Sequence, residues 1–176
     1  MRQEFEDQDL SDSVFWGVYM RNVHIRDADF TGSTMFHVTL KDVTTNEQCQ
    51  QSIDGEWSFI QTLRHLVMAM DKWFTLPVLG QAEMHPIILP NGGSNDFPWP
   101  GRDLTADPTY ADVLAVRAER AARFREFIAS VTSNELARTT TVLENGEATV
   151  EQCLHVVFEE EFEHLRYAMR DLDRLS

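Results

Sequence analysis

The sequence predicts a mainly α-helical protein in which a helical bundle follows a short β-helical coil. Two observations support this fold class. Apolar residues recur every five positions in the first quarter of the chain, and the spacing of amphipathic helices appears from Glu56 onwards. A length of 176 residues suits one ordinary domain with a small appendage. We therefore place the coil at residues 1–45 and the helical bundle at residues 55–176.

The period of five runs through eight repeats without a slip. Large apolar side chains occupy one position in each repeat: Phe5, Leu10, Phe15, Met20, Ile25, Phe30, Met35 and Leu40. A small or β-branched residue stands two positions before most of them, as Ala28 and Val38 do. Neither a helix nor a flat strand has this period, whereas a chain that turns a corner every five residues does. An irregular β-meander with chance spacing is the alternative.

The repeats resemble the pentapeptide-repeat family, and the sequence ADF at residues 28–30 is close to the core motif of that family. In that family four repeats complete one turn of a right-handed β-helix. The resemblance therefore implies a coil of roughly two turns, which is too short to bury much surface by itself.

Three helices are predicted after the coil. The first begins near Glu56 and ends near Pro77 and Gly80. The second covers residues 109–132, starts with a capping box of Thr109 and Asp112, and has its own inner stripe. That stripe consists of Leu114, Ala118, Ala121, Ile128 and Val131.

The last helix is predicted from Val150 to Leu175. Its buried side comprises Val150, Leu154, Val157, Ala168, Leu172 and Leu175. A long loop at residues 81–108, with five prolines and three glycines, precedes the second helix, and a connector with a turn at Asn145 and Gly146 precedes the last one.

Charged residues on the last helix form the candidate site. At about 100° per residue, His164 lies at the edge of the core-facing side, with Glu160 four residues and Glu161 three residues before it. Either spacing places two metal ligands on one helical face. A surface ion pair is the alternative. A metal site needs a third ligand from elsewhere, and His65 is a candidate, although its periodicity predicts a partly exposed histidine.

Two segments resemble signature segments of the DinB-like metalloprotein superfamily, a group of helical bundles that includes mycothiol- and bacillithiol-dependent enzymes. They are GEWSFIQTLRHLVMAMDKWF, which contains His65, and EEEFEHLRYAMRDL, which contains His164. The resemblance covers roughly residues 55–176. It implies a divalent metal held by His65, Glu160 and His164, with Glu160 standing where the commoner family pattern has histidine.

Two histidines and one carboxylate suit zinc, nickel, manganese or iron(II). Glu161 is a rival ligand or a catalytic general base. The segment between the last repeat and the bundle, TTNEQCQQSID, is too short for the first bundle helix of the family, which we therefore expect to be missing. We expect the coil or a second subunit, in a homodimer, to cover the exposed face.

The formal net charge of −14 argues against binding to nucleic acid or to anionic lipid. No signal peptide or membrane-spanning run is evident, and Cys49 and Cys153 fit no disulfide framework. These features favour a cytoplasmic protein with reduced thiols. We expect Cys153 to be a buried structural residue, and Arg117 and Arg120 to be exposed charges unless they bind an anionic substrate.

The resemblance implies a divalent-metal-binding protein and a metal-dependent transferase. Such an enzyme would use a low-molecular-weight thiol, such as mycothiol or bacillithiol, on an electrophilic small molecule. Two other hypotheses stay open, namely a non-enzymatic protein-binding module and a metal-free relic of the fold. The coil has eight acidic and four basic residues, which is too mild an excess for a mimic of DNA.

Overall fold

The computed structural model describes residues 49–175 and, before them, the strands at residues 3–6, 14–16, 19–20, 23–26, 34–36 and 39–40. Four helices account for most of the regular secondary structure of the described chain, in agreement with the mainly α-helical fold class. They are α1 (Phe59–Met70), α2 (Tyr110–Ser130), α3 (Ser133–Leu136) and α4 (Val150–Leu175). None of the described helices is long and apolar enough to cross a membrane.

Six short strands precede the helices and pair in parallel. They are β1 (Gln3–Glu6), β2 (Val14–Trp16), β3 (Tyr19–Met20), β4 (Val23–Arg26), β5 (Thr34–Phe36) and β6 (Thr39–Leu40). Strand β1 pairs with β4, β2 with β5 and β3 with β6. The rest of residues 1–45 lies outside the described residues, so the complete pentapeptide-repeat coil stays a prediction.

The predicted absence of a first bundle helix also falls largely outside the described residues, because these resume only at Cys49. Cys49 and Gln50 are helical, and Cys49 is fully buried.

Helix α1 begins with a capping box and ends in a change of helix type. The Ser58 N–H donates to Gln61 Oε1 over 2.9 Å, which satisfies one of the backbone donors at the start of the helix. After Met70 the chain continues as a π-helical turn at Asp71–Thr75. Such a turn shifts the faces of a helix relative to the residues before it. The sequence predicted one continuous helix here and missed this change.

The capping box predicted for the second helix is confirmed. The Asp112 N–H donates to Thr109 Oγ1 over 3.2 Å, and the Thr109 N–H donates to Asp112 Oδ2 over 2.9 Å. The predicted inner stripe of this helix, in contrast, is wrong at Leu114 and Ala118, which are exposed, whereas Ile128 packs against the apolar core.

The buried residues of α2 are Val113, Arg120 and Phe124. Arg120 of this helix points inward because Asp71, in the π-helical turn after α1, balances its charge. An apolar pattern alone therefore misses part of the buried side of the helix.

The connector between α3 and α4 is a hairpin of β7 (Thr139–Val142) and β8 (Gly146–Thr149). Gly146 has a φ of 81°, a value that favours glycine, so the predicted turn is confirmed at this position. The sequence did not predict the two flanking strands. The bounds predicted for the last helix are confirmed.

Three apolar clusters form the described core. One joins the end of α1 to α2 and α4: Met70, Phe74, Phe124, Val150, Leu154 and Val157. A second lies at the start of α1: Ile60, Leu63, Leu66, Ile87 and Val113. The third packs the loop at residues 81–108 against α1: Val67, Met68, Met84, Ile88 and Trp99. The long loop thus covers one side of α1, and the candidate ligand His65 lies on that side.

The buried side predicted for α4 is confirmed at Val150, Leu154, Val157 and Ala168. The side chains of Leu172 and Leu175 lie outside the described part of the chain. Cys153 is fully buried, as expected.

Candidate metal centre

His65 lies on α1 and is only 5% exposed. The partly exposed histidine predicted from periodicity is therefore wrong. Two segments outside α1 cover the side chain. The Nδ1 atom is 3.0 Å from the carbonyl oxygen of Leu89 in the long loop, and the ring of Trp57 lies 4.7 Å away between centroids. A helical periodicity does not reveal a loop that folds back over the polar side of its helix.

Glu160 and His164 lie one turn apart on α4, as predicted. The His164 Nδ1 atom is 2.8 Å from the main-chain carbonyl oxygen of Glu160. A proton on Nδ1 would therefore donate to this carbonyl, which leaves Nε2 of His164 as the nitrogen with an available lone pair. This hydrogen bond holds the His164 imidazole against α4.

The structure brings all three predicted ligands together. Their ligand atoms lie within 4.8 Å of one another. Glu160 Oε2 is 3.3 Å from His65 Nε2 and 3.4 Å from His164 Nδ1. The two imidazole rings are 4.7 Å apart between centroids. Residues separated by 95 positions in the sequence thus converge where α1 passes α4.

His65 has an acceptor oxygen at each nitrogen, namely the Leu89 carbonyl at Nδ1 and Glu160 Oε2 at Nε2. A neutral imidazole has only one N–H, so it leaves one nitrogen lone pair facing an oxygen lone pair. Either a second proton or a cation between Nε2 and the carboxylate relieves this repulsion. A metal ion fits the donor set, because Nδ1 donates to a carbonyl in the way that metal-bound histidines commonly do.

The electrostatics of Glu160 and His164 favour the protonation states that a metal needs. The hydrogen bond with His65 lowers the pKa of Glu160 below its usual value, and the charges of His65, His164 and Lys72 add to this effect. Burial lowers the pKa of His164, and the neighbouring His65 lowers it further. An ionised carboxylate and a neutral imidazole are the forms that bind divalent ions.

The three side chains are not equally exposed. That of His65 is 6% exposed, that of His164 17% and that of Glu160 31%. Solvent therefore reaches the group from the side of Glu160. Three protein ligands with one accessible side are typical of catalytic rather than structural zinc sites, which use four protein ligands.

Glu161 has a different partner from Glu160. Both of its carboxylate oxygens accept from the guanidinium of Arg117, the second over 2.6 Å from Nη2. This two-bond pair joins α4 to α2, and it shows that Arg117 is not a free surface charge. The roles predicted for Glu161, rival ligand or general base, stay predictions, and the paired oxygens favour a structural role.

His85 and His155 lie outside the cluster of ligand groups. His155 is exposed, and the backbone N–H of His85 donates to Asp71 Oδ2 over 2.7 Å. Arg120 is 7% exposed and its Nε donates to Asp71 Oδ1 over 2.6 Å. The expected exposed charge at Arg120 is therefore wrong, because it forms a buried ion pair.

Comparison with known proteins identifies the family. The sequence profile of the DinB superfamily matches residues 31–168. The chain belongs to the DinB superfamily. No protein with a curated description matches this DinB-superfamily chain in sequence.

A solved structure supports the fold of this DinB-superfamily protein. It is YfiT from Bacillus subtilis, described as a probable metal-dependent hydrolase with an unusual four-helix bundle topology. The match covers 77% of each chain with a TM-score of 0.51 and 21% sequence identity. At this identity the likeness shows a shared fold.

We expect acidification to destabilise the metal-free protein. The pKa of His164 is lowered from its usual value of 6.5, and burial also lowers the pKa of His85. The unfolded chain then binds protons at a higher pH than the folded chain does. The contribution of these two histidines to the free energy of unfolding is fully present above about pH 6.5. It decreases as the pH falls towards their folded-state pKa.

The measurement is urea unfolding of chelator-treated protein from about pH 7.5 to about pH 5. His164→Gln should flatten the decrease in the free energy of unfolding, whereas His155→Gln at an exposed position should leave it unchanged. An unfolding free energy that does not change with pH in the original protein would contradict the expectation.

Proposed function

We propose that His65, Glu160 and His164 bind a divalent metal ion and that the protein is a metal-dependent enzyme acting on a small molecule. The convergence of these three ligand groups at the crossing of α1 and α4 is the observation that carries the proposal. Zinc, nickel, manganese and iron(II) all accept two imidazoles and one carboxylate. Because Glu160 supplies an oxygen ligand, we expect a weaker preference for zinc than a site of three histidines would have.

A bound ion of this kind lowers the pKa of a coordinated thiol or water, so that a nucleophile exists at neutral pH. The residues of the chain supply the site for it. His65 is held by Leu89, His164 is held by its own helix, and Glu160 provides the negative charge on the accessible side.

We favour a low-molecular-weight thiol, such as mycothiol or bacillithiol, as the nucleophile in a transfer to an electrophilic small molecule. The two cysteines of the chain support an external thiol, because Cys49 and Cys153 are both fully buried. Burial also raises the pKa of Cys153, so it is a poor nucleophile.

Hydrolysis is the second candidate function. It is supported by the description of YfiT as a probable metal-dependent hydrolase and by the solvent access beside Glu160. In that reaction the nucleophile would be water. Turnover of a model electrophile only when a thiol is added would favour the transferase, and release of acid from an ester without thiol would favour the hydrolase.

The test of the metal centre compares two adjacent glutamates. Glu160→Gln should lose most of the bound metal in elemental analysis after purification, because an amide oxygen is a weaker and uncharged ligand. Glu161→Gln should retain the metal, because its carboxylate pairs with Arg117. Both substitutions change one charge on neighbouring positions of α4, so a general electrostatic effect would affect both alike.

Absence of metal from the original protein, even after incubation with zinc, nickel, manganese and iron(II), would contradict the proposal. It would favour the protein-binding module or the metal-free relic instead. Equal metal content in the Glu160→Gln variant and the original protein would remove Glu160 from the ligand set.

We also propose that residues 1–45 form the pentapeptide-repeat coil and that the protein is a cytoplasmic homodimer. The coil is supported by the strand registers, which place Gln3 opposite Val23, Val14 opposite Thr34 and Tyr19 opposite Thr39. Each offset is 20 residues, the length of four repeats of five. Light scattering of the purified chain tests the dimer, which a monomeric mass would contradict.

A further inference from the structure

The ring of Trp57 lies close to both candidate histidine ligands. Its ring centroid lies 4.7 Å from that of His65 and 6.4 Å from that of His164, with an angle of 23° between the Trp57 and His164 ring planes. We propose that Trp57 is a positioning residue of the metal centre, and that its indole holds the two imidazoles in the orientation in which they bind the ion. This inference rests on the proposed metal site.

The hydrogen bonds of the two histidines do not by themselves fix the orientation of the imidazole rings. Each imidazole is held at Nδ1 by one main-chain carbonyl, that of Leu89 for His65 and that of Glu160 for His164. Glu160 Oε2 also lies 3.3 Å from Nε2 of His65, yet contacts at the ring nitrogens leave each ring able to rotate about the line of those contacts. A large, rigid ring packed against both imidazoles removes this freedom before a metal arrives, which lowers the cost of binding.

The backbone around Trp57 holds the indole in place. On one side, Asp54 and Gly55 have φ values of 53° and 78°, and the Glu56 N–H closes a turn on the carbonyl of Ile53 over 2.9 Å. On the other side, Ser58 begins α1 with its capping box. Trp57 therefore lies between a tight turn and a capped helix, where the backbone has little freedom to move.

An ion pair fixes the same turn to the helix that supplies two ligands. The carboxylate of Glu56 accepts a hydrogen bond from the guanidinium of Arg170 on α4. Both side chains are partly exposed, so the pair contributes little to stability. Its geometric effect is to join the Trp57 turn to α4 near His164. The Trp57 indole contacts one histidine on α1 and one on α4. The separation of these two helices sets the distance between the metal ligands.

The test uses Co²⁺ as the probe metal, because its visible spectrum reports the geometry of its ligands. Trp57→Leu keeps an apolar side chain but removes the aromatic ring. We expect it to bind Co²⁺ about tenfold more weakly, at the lower end of the effect of outer-shell substitutions, and to show an altered spectrum. Trp57→Phe should restore most of the affinity and the original spectrum.

Trp73→Leu is the matched control. Trp73 packs against an apolar core cluster, whereas Trp57 belongs to none of the three clusters. Trp73→Leu should therefore lower the melting temperature more than Trp57→Leu and yet leave Co²⁺ affinity unchanged. If Co²⁺ affinity merely followed overall stability, Trp73→Leu would bind Co²⁺ more weakly than Trp57→Leu.

The outcomes separate this inference from the proposed function. If the original protein binds no Co²⁺, the metal site itself is wrong. If it binds Co²⁺ and Trp57→Leu matches Trp73→Leu in affinity and spectrum, the metal site stands and the positioning role of Trp57 is wrong. A weakened affinity in Trp57→Leu that Trp57→Phe fails to restore would also overturn the role assigned to the aromatic ring.

Discussion

Replacing either histidine of the trio with alanine is expected to leave the purified protein without bound metal. His65→Ala and His164→Ala each remove one of three ligands. The loss of affinity should therefore exceed the factor of about 100 that marks the upper range for outer-shell partners. Elemental analysis of both variants, after dialysis against metal-free buffer, measures the bound ion directly.

The two variants differ in their expected effect on folding. His65 is buried among α1, the long loop and Trp57, so its truncation leaves a small cavity and removes the hydrogen bond to Leu89. His164 is more accessible and its hydrogen bond lies within α4. We therefore expect His65→Ala to unfold at the lower temperature, although both lose the metal.

His155→Ala is the control for the loss of a histidine from the same helix as His164. It lies at an exposed position of α4, outside the cluster of ligand groups. It should retain the metal content of the original protein. Stoichiometric metal in His164→Ala, or a similar loss in His155→Ala, would contradict the ligand assignment.

The second large effect is expected at the buried ion pair of Arg120 and Asp71. Asp71 is fully buried in the π-helical turn, where its carboxylate accepts from Arg120 Nε over 2.6 Å and from the His85 N–H over 2.7 Å. Arg120→Ala leaves this buried carboxylate without its guanidinium partner. Breaking a buried pair from one side costs about 3 to 5 kcal/mol.

A loss of this size should lower the melting temperature by about 10 °C in a chain of this length. Urea unfolding, with a linear extrapolation to water, gives the change in the free energy of unfolding. Arg166→Ala is the control, because Arg166 is 62% exposed and pairs only at the surface with Glu163. It should change the free energy of unfolding by less than about 1 kcal/mol.

A double variant distinguishes an unpaired charge from lost packing. Replacing Asp71 with leucine and Arg120 with methionine removes both charges and keeps similar volumes. This variant should be more stable than Arg120→Ala alone, because no buried charge is left uncompensated. A double variant less stable than the single one would show that packing around Arg120, rather than its charge, dominates.

The helices of the protein follow from its apolar periodicity to different degrees. The approximate bounds predicted for helix α4 are confirmed, because Val150, Leu154 and Val157 repeat at helical spacing after a clear turn at Gly146. The face of α2 was predicted only in part, because its buried side contains Arg120. Charge compensation by Asp71, 49 positions earlier, is invisible in the local pattern.

The local sequence pattern likewise predicts only part of the candidate site. Glu160 and His164 are related by helical spacing, so the sequence places them together. His65 needed the family resemblance, since its burial depends on Leu89 and Trp57, which lie outside α1. The GEWS segment stood out in the sequence, but nothing in its spacing indicated that the indole lies against two histidines.

Both histidines use main-chain carbonyls as their Nδ1 partners, and this has an evolutionary consequence. A carbonyl is present whatever side chain a position carries. The bond that orients His164 therefore survives any exchange at position 160 that keeps the helix, and the bond that orients His65 survives any exchange at position 89 that keeps the loop. An exchange between histidine and glutamate at position 160 therefore alters a ligand group without removing the bond that orients His164. The lineage could vary the charge and metal preference of the site one ligand at a time.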